Sequence, residues 1–245
     1  MAPAESPPMQ GFGPPIQTDP HFRLLTARLF DRLQERYPFP EQLPAANLPA
    51  ELLPYTVQHR FRSSENGWPL VQVGPGILTV NETSGYKWRT FSESADHAVK
   101  CLFSAHPRPS DLRVKSLALR YIDAFVLPND SDALEFLRTK LKINISLPEK
   151  LFGPHKVHSA PASLAWECAF EAAEPGGRVT LRLGLGETNG NRALIMETQF
   201  ESASPNIPAL PESFSSWASG AHQVTRDWFF TLIDGELYEH FEPVE

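Results

Sequence analysis

Apolar positions along this chain follow two periods, and the switch from one to the other occurs twice. In the first pass the period is two. YTVQHRFRS, LVQV and ILTVNET read as three successive antiparallel strands, and SADHAVKCLF then takes up the 3.6-residue period of an amphipathic helix. In the second pass SLAWECAFEA, RVTLRLGLGE and ALIMETQFES repeat the meander, and GAHQVTRDWFFTLI repeats the helix. Laying His97 over His222 also lays Val99 over Val224 and Phe103 over Trp228. Those coincidences are few, but the element order agrees with them. The expected fold is α+β, with two pseudo-duplicated meander-plus-helix halves and helices packed on one face of the sheet or sheets.

The intervening segments fill in the outline. Residues 1–19 are proline-rich and polar and read as a flexible arm able to dock on a partner. Asp19 then offers an N-cap and Pro20 a first helical position, with Phe22, Leu25, Leu29 and Leu33 as the apolar stripe. Residues 38–54 read as a proline-punctuated connector, and Gly74-Pro75-Gly76 as a tight turn. Ser92 or Ser94 is expected to cap the first meander's helix, with Ala95, Val99, Leu102 and Phe103 buried. Residues 113–127 give the strongest strand signal. Leu117, Leu119, Tyr121 and Phe125 share one face, and Ala118, Ile122 and Ala124 make the other largely apolar, so the strand is expected to be central. A helix over 130–142, capped by Asp130 or Ser131, should bury Leu134, Leu137 and Leu141. Pro175-Gly176-Gly177 and Asn189-Gly190-Asn191 sit where hairpin turns belong. The last helix spans about 212–233, with Phe214, Trp217, Trp228 and Phe229 inward, and stops near Gly235. The halves are drawn at 20–127 and 128–245, and whether they share one sheet stays open.

Composition narrows the classes. With 245 residues and 41% apolar content the chain has enough material to form its own core. A net charge of -7 with no run of Lys or Arg lacks the footprint of a general nucleic-acid binder. Cys101 and Cys168 show neither CxxC spacing nor nearby histidines at metal-ligand spacing, so no cofactor or metal is expected and both read as small buried hydrophobes. The N-terminus has no basic region followed by an apolar stretch, and no apolar run reaches the ~20 residues a membrane helix needs, so a cytoplasmic location is expected.

Candidate chemistry is sparse, and no catalytic residue is assigned. His97 and His222 are helix-borne imidazoles beside a sheet, able in principle to act as bases, yet neither has a nucleophile or acid partner in sequence. A hydrogen-bonded structural role is the default for both. Arg120 lies opposite the face shared by Leu119, Tyr121 and Asp123, and in a central strand it would need Glu82 or Glu197 as partner. Trp68, Trp88 and Arg89 are candidate contact residues, because Trp and Arg dominate interface energies. Arg23, Arg28, Arg32 and Arg36 decorate the first helix, as a solvated face or as a grip on a partner. Counting the preceding helix, each half runs α-β-β-β-α, the order of a double-stranded-RNA-binding domain. The starts of the closing helices, SESADHAVK and SSWASGAHQ, lack the lysines that such a domain needs.

PLVQVGPGILTVNETSGYKWRTF, LALRYIDAF and SWASGAHQVTRDWFFTLI together resemble a sporadically distributed family of bacterial and archaeal proteins of similar length with no assigned function. The resemblance covers roughly residues 20–241 and departs at Asp123, where the family more often has Asn. It carries no catalytic residues across, and patchy distribution is what mobile defence loci look like. The leading expectation is a non-enzymatic protein–protein interaction protein, an accessory, antitoxin or immunity-like factor of a mobile defence system. One alternative is a ligand-binding or hydrolytic domain with a pocket between sheet and final helix, reached by His222, Arg120 or Tyr121. The other is a subunit that touches nucleic acid only inside a larger complex.

Overall fold

Phe22, Leu25, Leu29 and Leu33 all turn inward on helix α1 (Phe22–Leu33), as their spacing requires. Asp19 sits two residues outside the cap it was expected to form: His21 is the N-cap residue, and the Asp19 carboxylate accepts the His21 N–H at 2.8 Å. In a computed structural model that describes residues 19–48, 53–128, 132–153 and 157–241, this helix opens the first of two units, Met1–Leu112. The arm at 1–18 and the helix caps expected at Asp130 or Ser131 lie outside the described residues.

The first unit continues with β1 (Phe39–Gln42), β2 (His59–Arg62), β3 (Leu70–Gly74), β4 (Ile77–Asn81) and α2 (Trp88–Ala105), the strands pairing antiparallel in the order β1-β2-β3-β4. Strand β1 falls inside what the sequence presents as a connector. Its Pro40 removes an N–H, which an outermost strand tolerates because one side of its backbone has no ladder to complete. His59, Phe61, Val71, Val73, Leu78 and Val80 share one face of this sheet through the register of β2, β3 and β4. Phe61, Val71 and Val73 are buried there against Leu29, Leu33 and Tyr37, and against Ala98, Cys101 and Ala105 of α2. Helix α2 starts a turn before the serines expected to cap it, and Ser92 lies within it. Its buried stripe is Ala95, Ala98, Cys101 and Ala105, while Val99 and Phe103 are half-buried, so the helix is rotated toward its small residues.

The second unit, Arg113–Glu245, contains β5 (Ser116–Val126), α3 (Ala133–Lys140), β6 (Ala165–Ala172), β7 (Gly177–Thr188), β8 (Asn191–Ala203) and α4 (Phe214–Ile233). Asp132 caps α3 by accepting the Leu134 N–H at 2.9 Å. The turn from β7 to β8 is the two-residue Asn189-Gly190, both at positive φ (50° and 76°), the conformation that Asn-Gly favours and that matches strand twist. The sheet order is β5-β8-β7-β6. Phe125, Leu181, Leu183, Leu194 and Met196 form one apolar face, buried against Ala133, Leu137 and Leu141 of α3 and Ile233 of α4.

The two halves therefore hold separate four-stranded sheets, and the long strand belongs to the second. The boundary moves from 127 to 112 because β5 pairs with β8 over its whole length of eleven residues. It is an edge strand, not a central one. The repeated meander-plus-helix order holds in β2-β3-β4-α2 and β6-β7-β8-α4, but the fourth strand is added to opposite ends, beside the first meander strand in one unit and beside the last in the other.

Candidate functional site

Strand β5 separates two environments by alternation. Leu117, Leu119, Tyr121, Asp123 and Phe125 face the helices; Ala118, Arg120, Ile122, Ala124 and Val126 face away and are exposed. The register places Glu167 of β6, Arg182 of β7, Glu197 of β8 and Ile122 of β5 in line on that outer face, with Arg120 one step along. Their side chains form a continuous row. Arg182 donates to both Glu167 and Glu197, and Arg120 Nη1 reaches the other Glu197 oxygen at 3.6 Å. The expected Arg120–Glu197 partnership is present, but it is not buried: the Arg120 side chain is 55% exposed. Exposed pairs of this kind each stabilise by about 0–1 kcal/mol, so the row contributes modestly to the fold. Ile122 lies in line with it and Val126 four residues farther along β5, both more than half exposed.

The inner face holds a polar group within an apolar layer. Tyr121 Oη and His222 Nδ1 are 2.8 Å apart, and in the Nε2–H tautomer the hydroxyl donates. Burial, aided by the Arg226 charge, pushes the His222 pKa down to about 4, so the imidazole is neutral at neutral pH. Two residues along β5, burial alone raises Asp123 to about 6. Thr198 is the cross-strand partner of Tyr121, and its buried hydroxyl has no hydrogen-bond partner among the described residues. Nearby, Trp217 Nε1–H donates to Ser202 Oγ, which donates to the Gly176 carbonyl, tying α4 to β8 and the β6–β7 turn. Arg120 is on the opposite face of the sheet, so it shares no pocket with Tyr121 and His222.

In the first unit the equivalent histidine, His97, lies 3.5 Å from Cys101 Sγ through Nε2. Burial raises the thiol pKa and lowers that of the imidazole, both away from the thiolate–imidazolium pair that a nucleophile would need. The thiol also approaches the Arg32 carbonyl at 3.8 Å. His97–Cys101 is an i,i+4 packing contact within α2.

No family model matches the chain, and neither a curated protein nor a solved structure matches it. Among the described residues no group of three or more His, Cys, Asp or Glu is placed to hold a metal ion, and no helix is long and apolar enough to cross a membrane.

The other sequence-selected residues are dispersed. Trp68 is half-buried, its carbonyl accepting from Ser63 Oγ at 3.0 Å. Trp88 opens α2 with its ring 6.2 Å from Phe91, and Arg89 extends into solvent beside Glu93. The four arginines of α1 do not make one face. Arg28 and Arg32 stack a turn apart, Arg36 lies past the helix end near His97, and Arg23 lines a separate hollow with His59. Alternation along single strands does not reveal Arg182 and Glu167 as parts of the row, since only the register of β6 on β7 aligns them.

Proposed function

We propose that this protein is a non-enzymatic interaction protein that binds another protein through the outer face of its second sheet, and that it serves as an accessory, antitoxin or immunity-like factor. The observation that carries the reading is the four-strand charge row ending at Arg120, with exposed Ile122 in line with it and exposed Val126 farther along the same face of β5. Arg120 has five N–H donors and, among the described residues, a single carboxylate neighbour at 3.6 Å. A partner segment that places a carboxylate on Arg120 and apolar side chains on Ile122 and Val126 would match this face in charge and shape. An Arg with neighbouring apolar anchors is the composition expected of an interface centre. The defence-related role draws on the resemblance in sequence and its patchy distribution.

The inner Tyr121–His222 pair supports stability more than hydrolysis. Each group is directly engaged by the other, and the nearby carboxyl is held toward its neutral form.

The test is affinity capture from an extract of the source cells, in high salt with nuclease so that bridging nucleic acid is removed. Wild type is run beside Arg120→Glu/Ile122→Asp, with far-UV circular dichroism confirming that both fold. The reading expects a stoichiometric partner on wild type and its loss on the double variant. Equal retention by both overturns it.

A further inference from the structure

Strand β5 has β8 on one side and, among the described residues, no strand on the other. The phase of its hydrogen bonds decides which groups the open side presents. Leu127, one step past the strand, donates its N–H to the Arg192 carbonyl at 2.9 Å, and Arg192 is the next position in the β5–β8 register. Bonded pairs of this kind recur at every second residue of an antiparallel ladder. Leu119, Tyr121, Asp123 and Phe125 therefore turn their N–H and C=O groups to β8, and Ala118, Arg120, Ile122, Ala124 and Val126 turn theirs to the open side. Those five residues also carry the exposed side chains of the outer face.

The other sheet edges differ. Strand β1 has four residues and includes Pro40, β4 has five residues, and β6 carries Glu167 and Glu171 on its outer face. Short length, proline and charge are the usual means of keeping an edge from pairing. Strand β5 has eleven residues without proline or glycine, and Arg120 is the only charge on its outer face.

Charge then specifies the occupant. From β6 to β5 the outer row reads Glu167, Arg182, Glu197, Arg120, alternating in sign at each strand and ending on a cation at the open side. The next strand in that series carries a carboxylate. A second copy is a poor source of it: β5 has no acid on its outer face, and Glu167 and Glu171 of β6 already pair with Arg182 and Arg178. Resting on the reading that the outer face of the second sheet binds a protein, we infer that an extended segment of that partner adds to the open side of β5 as a fifth strand, with a carboxylate next to Arg120 and an apolar side chain next to Ile122. Main-chain bonds supply the affinity, and the acid and apolar groups two residues apart supply the selectivity.

The probe is the acetylated, amidated peptide Thr-Val-Thr-Glu-Thr-Val-Thr, which reads the same in both directions, together with its Lys-for-Glu form. Both are titrated into the full-length protein and followed by residue-resolved amide exchange. Saturable binding of the Glu peptide is expected, with slowed exchange at the Ala118, Arg120 and Ile122 N–H groups and little change at Tyr121 and Asp123, which already bond to β8. The Lys peptide should bind about fivefold or more weakly, and Arg120→Glu should reverse the order. Ala118→Pro removes one open-side N–H without touching the β8 ladder or the Arg120, Ile122 and Val126 side chains, so it should fold by far-UV circular dichroism and lose the peptide. Should that variant misfold, the amide pattern on wild type decides alone. No saturable binding, equal binding of the two peptides, full binding by a folded Ala118→Pro, or binding without protection of the open-side amides overturns strand addition. The reading of the outer face fails separately, when a captured partner is retained by Arg120→Glu/Ile122→Asp. A partner lost on that double variant but kept by Ala118→Pro overturns strand addition and leaves the outer face as its binding surface.

Discussion

Replacing Asp123 with Asn should make the protein more stable, and only above a defined pH. Asp123 points toward the helices from β5, and burial raises its pKa from 3.8 to about 6. An unfolded chain ionises this carboxyl near its ordinary value, whereas the fold holds the proton until about 6. The folded state therefore binds more protons across that window, and stability falls as pH rises through it. Below about pH 4 the carboxyl is neutral in both states and costs nothing; above about pH 6 the full penalty applies. A shift of about two units corresponds to roughly 3 kcal/mol. Asn fits the same shape and does not titrate. Asp123→Asn should thus match wild type near pH 4 and exceed it by up to about 3 kcal/mol near pH 7.5, in urea unfolding followed by tryptophan fluorescence. His222 titrates alike in both proteins, so its contribution cancels in the comparison. A variant less stable than wild type at the higher pH, or a difference independent of pH, would refute the reasoning and mean that the ionised carboxylate is satisfied in the fold.

Tyr121→Phe removes the hydroxyl from His222 Nδ1 and leaves a buried imidazole nitrogen without that donor; a loss of about 1–2 kcal/mol is expected in the same unfolding assay. Acid should destabilise through His222 in wild type, because a pKa lowered to about 4 means that the fold resists protonation as pH falls below about 6.5, and His222→Gln should flatten that limb of the stability profile. Leu29→Ala, at a fully buried position in the first core, should cost about 2–5 kcal/mol in calorimetric unfolding.

Local signals carried the elements well wherever a single residue type decides the backbone. Asn189-Gly190 makes its turn because both positions need positive φ, and the Phe22, Leu25, Leu29, Leu33 stripe buries because its spacing follows the helix period. Strand β1 was hidden by Pro40, since a proline reads as punctuation unless the strand is known to lie at an edge. The position of β5 was misread for a related reason. Ala118, Ile122 and Ala124 look like a second buried face, yet they are exposed on an edge strand beside a charge row. Glu197 was legible only as one of two candidate partners for Arg120, beside Glu82. Glu167 and Arg182 were not, because long-range register alone aligns them. The Gln58 Nε2 and Thr198 hydroxyl, which have no partner among the described residues, have no sequence signature, as burial of a single polar atom depends on every element around it.

The proposal that the outer sheet face is the binding surface is tested most directly by amide hydrogen exchange on the captured complex against the protein alone. Added protection is predicted over the peptides covering Ser116–Val126 and the adjoining stretch of β8, with the first unit unchanged. Protection confined to α1 or α2, with β5 exchanging as in the unbound protein, would contradict it.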